Sequence, residues 1–211
     1  MRVFLYLLSV SDNLAFKANR RDAADFHEHR MISTLQIVSV GTSALLYYGF
    51  FHLNEWLFSA LEVHRGANWI FLPAGLRLLN TLVLGGEGAI GLLIASFALS
   101  FGLVHSDPIT AAVSPFISAG APYLIYRFAL ARGLPSTLEK LTPASLSVLI
   151  VMYAAASSSL HSIWYSMRGV SQSFLSGFSA MFIGDLIGTL IMVYLIKLLL
   201  MLWDRRRKPP A

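Results

Sequence analysis

The chain has no cysteine and few charged residues. None of its 211 residues is cysteine, and only 13% are charged, whereas soluble domains carry about 25% charged residues. The lack of cysteine excludes disulfides, thiolate metal sites and cysteine nucleophiles. The low charge, the 56% of hydrophobic residues and a mean hydropathy of +0.65 predict an all-α integral membrane protein. Its length suits one compact helical bundle.

The N-terminal 30 residues lack a span and a convincing cleavable signal. The apolar run at residues 3–10 is too short to cross a bilayer, which takes about 20 apolar residues, and no small-residue cleavage site follows it. Residues 11–30 are polar and charged. We therefore expect a cytoplasmic, partly interfacial segment at 1–30, a transmembrane bundle at 31–204 and a basic cytoplasmic tail at 205–211.

Apolar segments long enough to span are frequent after residue 31. Only helices satisfy the backbone over such lengths in lipid, so the pattern predicts a six-transmembrane helix bundle. The second segment is short and contains Pro73 and Gly75, which predicts a broken or strongly tilted helix. The six segments run approximately over 33–60, 69–85, 87–104, 109–131, 143–166 and 175–203.

Basic residues indicate the orientation of these spans. With both termini inside, only Arg65 and Arg168 fall outside, and Arg77 and Lys197 fall within spans. This bias favours an N-in, C-in topology. The net charge of +5 is then explained by topology, with membrane lipid as the partner and no nucleic acid. The twelve basic residues at the inner face are Arg2, Lys17, Arg20, Arg21, Arg30, Arg127, Arg132, Lys140, Arg205, Arg206, Arg207 and Lys208.

Two opposite charges lie within predicted spans. Arg77 is eight residues from the outer start of the second span, a depth of roughly 12 Å. Asp185 is ten residues from the outer start of the sixth, roughly 15 Å. Ionised groups in hydrocarbon usually face the bundle interior and mark function. The sequence allows a direct Arg77–Asp185 ion pair, which would be either a ligand site or only a lock on helix register.

Further polar residues are expected in the same outer half. His52 and Glu55 share a face of the first span, His161 lies near the outer end of the fifth, and Asn80 is one turn inward from Arg77. Together with Arg77 and Asp185 they predict a ligand pocket open to the outside. The His and carboxylate types suit a divalent ion, but the His-x-x-Glu spacing is common, so we predict no metal and no cofactor.

Small residues flank both charges. Gly184 and Gly188 bracket Asp185, and Ala74 and Gly75 precede Arg77. Small residues four apart allow close helix approach in membranes, so the second and sixth spans are expected to touch.

The same stretches carry a family resemblance. Phe71-Leu-Pro73-Ala74-Gly75-Leu-Arg, Leu82-Val-Leu-Gly-Gly and Ala89-Ile-Gly-Leu-Leu-Ile-Ala-Ser-Phe, followed late in the chain by Gly184-Asp-Leu-Ile-Gly188, resemble the integral membrane sensor domain of the first membrane-associated sensor family. That domain stands at the N-terminus of bacterial histidine kinases and diguanylate cyclases. The match covers roughly 69–97 and 178–195. The family usually has about eight spans and continues into a signalling domain, so this chain resembles a stand-alone relative.

The resemblance implies sensing of an unidentified signal in a bacterial inner membrane, and it implies no catalysis. A small ligand would bind at Arg77 and Asp185, and the signal would pass to a cytoplasmic or membrane signalling partner. A homo-oligomer is compatible with the sequence. Two other classes stay open. The chain could be a small transporter or its substrate-binding subunit, since intramembrane charge on broken helices is typical of transport sites, or it could be a structural or assembly protein.

Overall fold

The computed structural model describes residues 34–64, 67–104, 107–133, 141–169 and 173–207. The predicted N-terminal segment 1–30 and the last four residues of the predicted tail lie outside these ranges. Within them, five helices are long and apolar enough to cross a membrane. They are α1 (Thr34–Phe58), α2 (Leu72–Leu99), α3 (Pro108–Ala131), α4 (Pro143–Met167) and α5 (Phe174–Arg207).

Short irregular elements connect the first helices. A 3-10 turn, Ser59–Leu61, and a small antiparallel hairpin of β1 (Glu62–His64) and β2 (Ala67–Asn68) join α1 to α2. A π-helical stretch, Ser100–Val104, continues α2 at its C-terminal end. These elements all lie at one end of the bundle.

Two helix starts follow the sequence signals directly. Asp107 accepts a hydrogen bond from the Thr110 backbone N–H, and Thr142 accepts one from the Ser145 N–H. Each cap is followed by proline at the first helical position, where the missing N–H costs nothing. At the other end of the chain, α5 continues to Arg207. The basic residues 205–207 are therefore part of the helix, although the sequence placed them in a separate tail.

The sequence separated residues 69–85 from 87–104, whereas the structure joins them in α2. This helix is not straight. Gly85 has φ 58° and ψ −126°, which lies outside the helical region and is strained for any other residue. A Cβ added to Gly88 would overlap the Asn80 carbonyl oxygen, although eight residues of straight helix would separate the two by about 12 Å. The chain therefore doubles back at Gly85, giving a first arm, 72–84, and a second arm, 86–99.

The reversal brings the two ends of α2 together. Leu72 and Leu76 of the first arm share a core cluster with Leu92 and Leu99 of the second, and Tyr47 of α1 completes it. A second cluster packs the first arm against α3 and α4. The first arm is about 20 Å long, which is shorter than the roughly 30 Å hydrocarbon core of a bilayer.

The first arm of α2 and helix α5 make a close contact, as the small residues predicted. A Cβ on Gly184 would overlap the Asn68 carbonyl oxygen, and a Cβ on Gly188 would overlap that of Phe71. The Phe71 N–H also donates to the Gly184 carbonyl oxygen at 3.2 Å. The chain that leads into α2 therefore lies directly on the small-residue face of α5, beside Asp185.

Candidate functional site: a charged cavity at one end of the bundle

A cavity of about 390 Å³ lies at one end of the bundle, a size typical of small-ligand sites. The ends of α1, of the second arm and of α4 line it, together with the starts of α2, α3 and α5. Five of the six predicted ligand-binding residues are in its wall: His52, Glu55, Arg77, His161 and Asp185. The structure thus brings together side chains that are up to 133 residues apart in sequence (52 and 185).

Arg77 is 8% exposed and is held by aromatic residues. Its Nε and one terminal nitrogen donate to the Tyr47 hydroxyl oxygen at 2.9 and 2.6 Å. The guanidinium carbon also lies 5.4 Å from the centroid of the Tyr47 ring and 5.0 Å from that of Phe71. Ring faces attract a cation most strongly where water is excluded. The charge of Arg77 is therefore stabilised mainly by two rings and one hydroxyl.

Asp185 is 4% exposed and lines the cavity with Arg77 and with Ser157 of α4. The positive charge of Arg77 acts on its carboxylate electrostatically. Its backbone carbonyl accepts a hydrogen bond from the Thr189 hydroxyl at 2.6 Å. The carboxylate is thus placed by a tightly packed turn of α5.

The two buried charges interact without contact. Among the described residues, no nitrogen of Arg77 lies within 4.0 Å of an Asp185 carboxylate oxygen. The direct ion pair that the sequence allowed is absent, since the Tyr47 hydroxyl receives the guanidinium hydrogens instead. Both groups therefore keep polar atoms on the cavity.

His161 and serines of two helices, α3 and α4, form a polar part of the cavity wall. The His161 Nδ1 must carry a hydrogen, because its partner at 3.0 Å is the Ser157 carbonyl oxygen. The Nε2 lies 3.3 Å from the Ser118 hydroxyl of α3. Nearby, the Ser114 hydroxyl donates to the Tyr165 hydroxyl at 3.5 Å. These contacts fix the imidazole orientation and make this wall polar.

Glu55, Glu62 and Asn68 lie near the connection between α1 and α2 and line the cavity with His52. The Asn68 Nδ2 donates to a Glu55 carboxylate oxygen at 3.4 Å. The Asn68 Oδ1, in a side chain only 4% exposed, has no hydrogen-bond partner within the described ranges. The same holds for the Ser96 hydroxyl, in a side chain that is also 4% exposed. Buried polar atoms are usually paired, so each of these two lining residues leaves one hydrogen bond unmade.

Asn80 is placed differently from the prediction. Its Nδ2 donates to the Ser43 hydroxyl at 2.9 Å, and the Ser43 hydroxyl donates to the Gly88 carbonyl oxygen at 2.9 Å. Asn80 therefore joins α1 to both arms of α2 and is not in the cavity wall. Its position one turn from Arg77 suggested the pocket, but the helix crossing turns it toward α1.

Sequence reasoning missed Tyr47, Asn68 and Ser96. Tyr47 is not among the predicted site residues, yet it is 2% exposed and holds Arg77. A usable signal existed, because Tyr47, Phe51 and Glu55 recur at helical spacing on one face of α1. Asn68 and Ser96 had no comparable signal.

An exposed ion pair lies at the same end of the bundle. Arg168, after α4, donates through Nε and a terminal nitrogen to both Asp107 oxygens at 3.0–3.1 Å. Both side chains are about one third exposed. The hydrogen bond from the Thr110 hydroxyl, followed by that from its backbone N–H and by Arg168, lowers the pKa of Asp107 to about 2.

Within the described ranges, no three His, Asp or Glu side chains are grouped so that they could hold a metal ion. Comparison with known proteins gives no further assignment. No family model, no curated protein and no solved structure matches the chain. The resemblance to the membrane sensor domain therefore stays a prediction, and the function has to be argued from the cavity itself.

Proposed function

We propose that this chain is a sensor-like membrane protein that binds a small polar ligand in the cavity between α2 and α5. One observation carries the proposal: Arg77 and Asp185 both line a 390 Å³ cavity, and no ion pair joins them. A charge pair that only locks helix register gains most from direct contact and full satisfaction of its polar atoms. A pair of charges that are not in contact, next to a cavity and to unpaired polar groups, is better suited to binding a ligand.

The proposal includes a topology of six spans with both termini in the cytoplasm of a bacterial inner membrane. Its supports are the reversal of α2 at Gly85, and the position of Arg127 and Arg132 at the end of α3 that lies away from the cavity. The short first arm then acts as the second span. The cavity would open toward the outside, on the side where fewer basic residues lie.

A signal would pass through the contact of the α2 start with α5. Asn68 and Phe71 lie on Gly184 and Gly188, and Asn68 also lines the cavity. A ligand that touches Asn68 or Asp185 therefore acts on this packing directly. The change would reach a signalling partner at the inner face through the long α5, which extends to Arg207. The proposal assigns no catalytic step to the chain.

The natural lack of cysteine makes accessibility easy to test. In Ser96→Cys, a thiol replaces an unpaired hydroxyl in the cavity wall. Right-side-out vesicles would be treated with two small membrane-impermeant methanethiosulfonates, one carrying a quaternary ammonium and one a sulfonate. We expect at least one to modify Ser96→Cys from outside.

Two single-cysteine controls frame this result. Ser166→Cys, exposed in the last turn of α4 at the cavity end, should react freely from outside, and Ala144→Cys, exposed in the first turn of α4, should not. If Ser96→Cys reacts with neither reagent while Ser166→Cys reacts with both, the cavity is closed to the outside and the proposal fails. Uptake of a bound ligand into vesicles would instead identify the chain as a transporter.

A further inference from the structure

The charges in the cavity wall are unbalanced. Glu55 and Asp185 contribute two carboxylates, besides Glu62, which has a further interaction of its own, whereas Arg77 contributes the one guanidinium among the described lining residues. An enclosed surface of low dielectric with a surplus of one sign concentrates ligands of the other sign. The wall as a whole therefore favours a cation.

The one guanidinium is already engaged. Two of its nitrogens donate to the Tyr47 hydroxyl, and its faces lie against the rings of Tyr47 and Phe71. Hydrogen bonds and ring contacts of this kind stabilise a buried cation without an anion. An anionic ligand would have to compete with these partners and approach the carboxylates of Glu55 and Asp185 as well.

The side-chain oxygen of Asn68 is a hydrogen-bond acceptor without a partner in the described residues. Its amide orientation follows from chemistry, because the nitrogen donates to Glu55 and the reverse orientation would set two oxygens against each other. The Oδ1 is left without a partner in a side chain that is 4% exposed. Since Gly184 packs on the Asn68 backbone, this acceptor lies on the same side of the cavity as Asp185. This side of the cavity therefore has more hydrogen-bond acceptors than donors.

We infer that the cavity binds a protonated organic amine. Its ammonium group, with hydrogens to donate, would bond the carboxylates of Asp185 and Glu55, with the Asn68 side chain beside them. Its apolar part would lie against the aromatic lining residues Tyr47, Phe51 and Tyr165. Ring faces suit an organic cation, and the described residues hold no metal-binding group that would suit an inorganic one. The inference rests on the proposed function and gives its ligand a chemical class.

Four probes of similar size separate charge from shape. Phenethylamine carries the ammonium, 2-phenylethanol is its neutral analogue, 3-phenylpropionate carries a carboxylate, and phenylalanine carries both groups. Titration calorimetry on the full chain in lipid nanodiscs should show binding of phenethylamine at least about ten-fold tighter than that of either 2-phenylethanol or 3-phenylpropionate. Phenylalanine separates a simple amine from an amino acid, and tighter binding of phenylalanine than of phenethylamine would identify an amino-acid site.

A matched pair of carboxylate variants locates the site. Asp185→Asn should weaken phenethylamine binding at least about ten-fold, whereas Asp107→Asn, at the same bundle end but outside the cavity wall, should leave it unchanged. If Asp185→Asn does not fold, Glu55→Gln replaces it. The cysteine labelling adds an independent measure. For each variant, the labelling rate with the quaternary ammonium reagent is divided by the rate with the sulfonate. This ratio should be at least about ten-fold higher for Ser96→Cys than for Ser166→Cys.

The two proposals fail in different ways. Equal or faster labelling of Ser96→Cys by the sulfonate would overturn the amine inference and leave an accessible ligand pocket standing. The amine inference would also be overturned if phenethylamine bound no more tightly than 2-phenylethanol or 3-phenylpropionate. It would likewise be overturned if phenylalanine bound and phenethylamine did not. Absence of labelling by both reagents would overturn the pocket itself, and the amine inference with it.

Discussion

Two pairs of opposite charges lie at the same end of this bundle, and they are built differently. Asp107 and Arg168 are about one third exposed and meet through three hydrogen bonds of 3.0–3.1 Å. Arg77 and Asp185 are almost fully buried and do not touch. Each buried charge is placed by other groups: the Tyr47 hydroxyl holds Arg77, and the Thr189 hydroxyl donates to the backbone carbonyl oxygen of Asp185.

The difference shows what each pair can contribute. An exposed ion pair replaces contacts with water by contacts between the two charges, and its contribution to the free energy of unfolding is small. A buried charge has lost its water, so removal of its counter-charge is costly even at a distance, because screening is weak in the interior. The separation of Arg77 from Asp185 therefore comes at a cost to stability, which the proposed ligand site would account for.

The largest effect is expected from removal of the buried cation. Arg77→Met leaves the carboxylate of Asp185 buried without its counter-charge, which should lower the free energy of unfolding by about 3–5 kcal/mol. Denaturant titration in mixed detergent micelles would measure this. The control is Arg168→Met, which breaks the exposed pair and should be far milder.

A second variant sharpens the same measurement. Arg77→Met combined with Asp185→Asn should recover part of the loss, since neither site then carries a charge. Equal losses for Arg77→Met and Arg168→Met, or no recovery in the double variant, would contradict electrostatic coupling between the buried groups.

The close contact under the cavity should be the next most sensitive feature. In Gly184→Ala, the new Cβ overlaps the backbone carbonyl oxygen of Asn68, which cannot rotate away as a side chain can. Overpacking of this kind should cost up to about 3 kcal/mol and move Asn68 relative to Asp185. Gly49→Ala is the matched control, since its Cβ meets nothing within 4 Å.

Thermal unfolding in detergent and the phenethylamine titration would check both consequences. Gly49→Ala should be neutral or slightly stabilising, because alanine favours a helix by up to about 1 kcal/mol. If Gly184→Ala is as stable as Gly49→Ala and binds phenethylamine equally well, the close contact does not position the cavity wall.

A smaller effect is expected from the hydroxyl that holds Arg77. Tyr47→Phe keeps the ring under the guanidinium and removes the one acceptor that takes two of its hydrogens. A hydrogen bond to a charged group contributes about 1.5–3 kcal/mol, and we expect the lower end because the ring contact survives. Tyr48→Phe, on an exposed tyrosine of the same helix, should change stability by less than about 0.5 kcal/mol. Similar values for the two variants would show that the hydroxyl is not what stabilises Arg77.

The sequence predicted the cavity better than it predicted the partners inside it. Arg77 and Asp185 could be found because charge is rare in apolar segments, and a count of basic residues placed both at one depth. Residues 69–85 and 87–104 were expected to be two separate spans, and the structure has non-helical backbone at Gly85, between the two arms of α2. Close packing around Gly184 was expected from residue size alone.

The remaining assignments depended on rotation of one helix against another. Asn80 was expected in the pocket because it follows Arg77 by one turn, but α1 crosses at a point where Ser43 receives it. Tyr47 holds Arg77 because the same crossing brings it inward. Asn68 lines the cavity because β2 lies on Gly184. Such contacts follow from tertiary packing and produce no periodic pattern in the amino-acid sequence.

The smallest expected effect belongs to the exposed pair and depends on pH. Folding lowers the pKa of Asp107 to about 2 through Thr110 and Arg168, whereas a free aspartate has a pKa of about 3.9. For a lowered pKa, the stabilisation is fully present above the unfolded value and is lost as pH falls through the folded value. Asp107→Asn should therefore lower the melting temperature slightly at neutral pH, and its difference from the natural chain should shrink between about pH 4 and pH 2. Thermal unfolding of both proteins across this range is the measurement. A difference that stays constant or grows as pH falls would show that the cap and the Arg168 contact owe nothing to the charge of Asp107, and the contrast with the buried pair would lose its exposed reference.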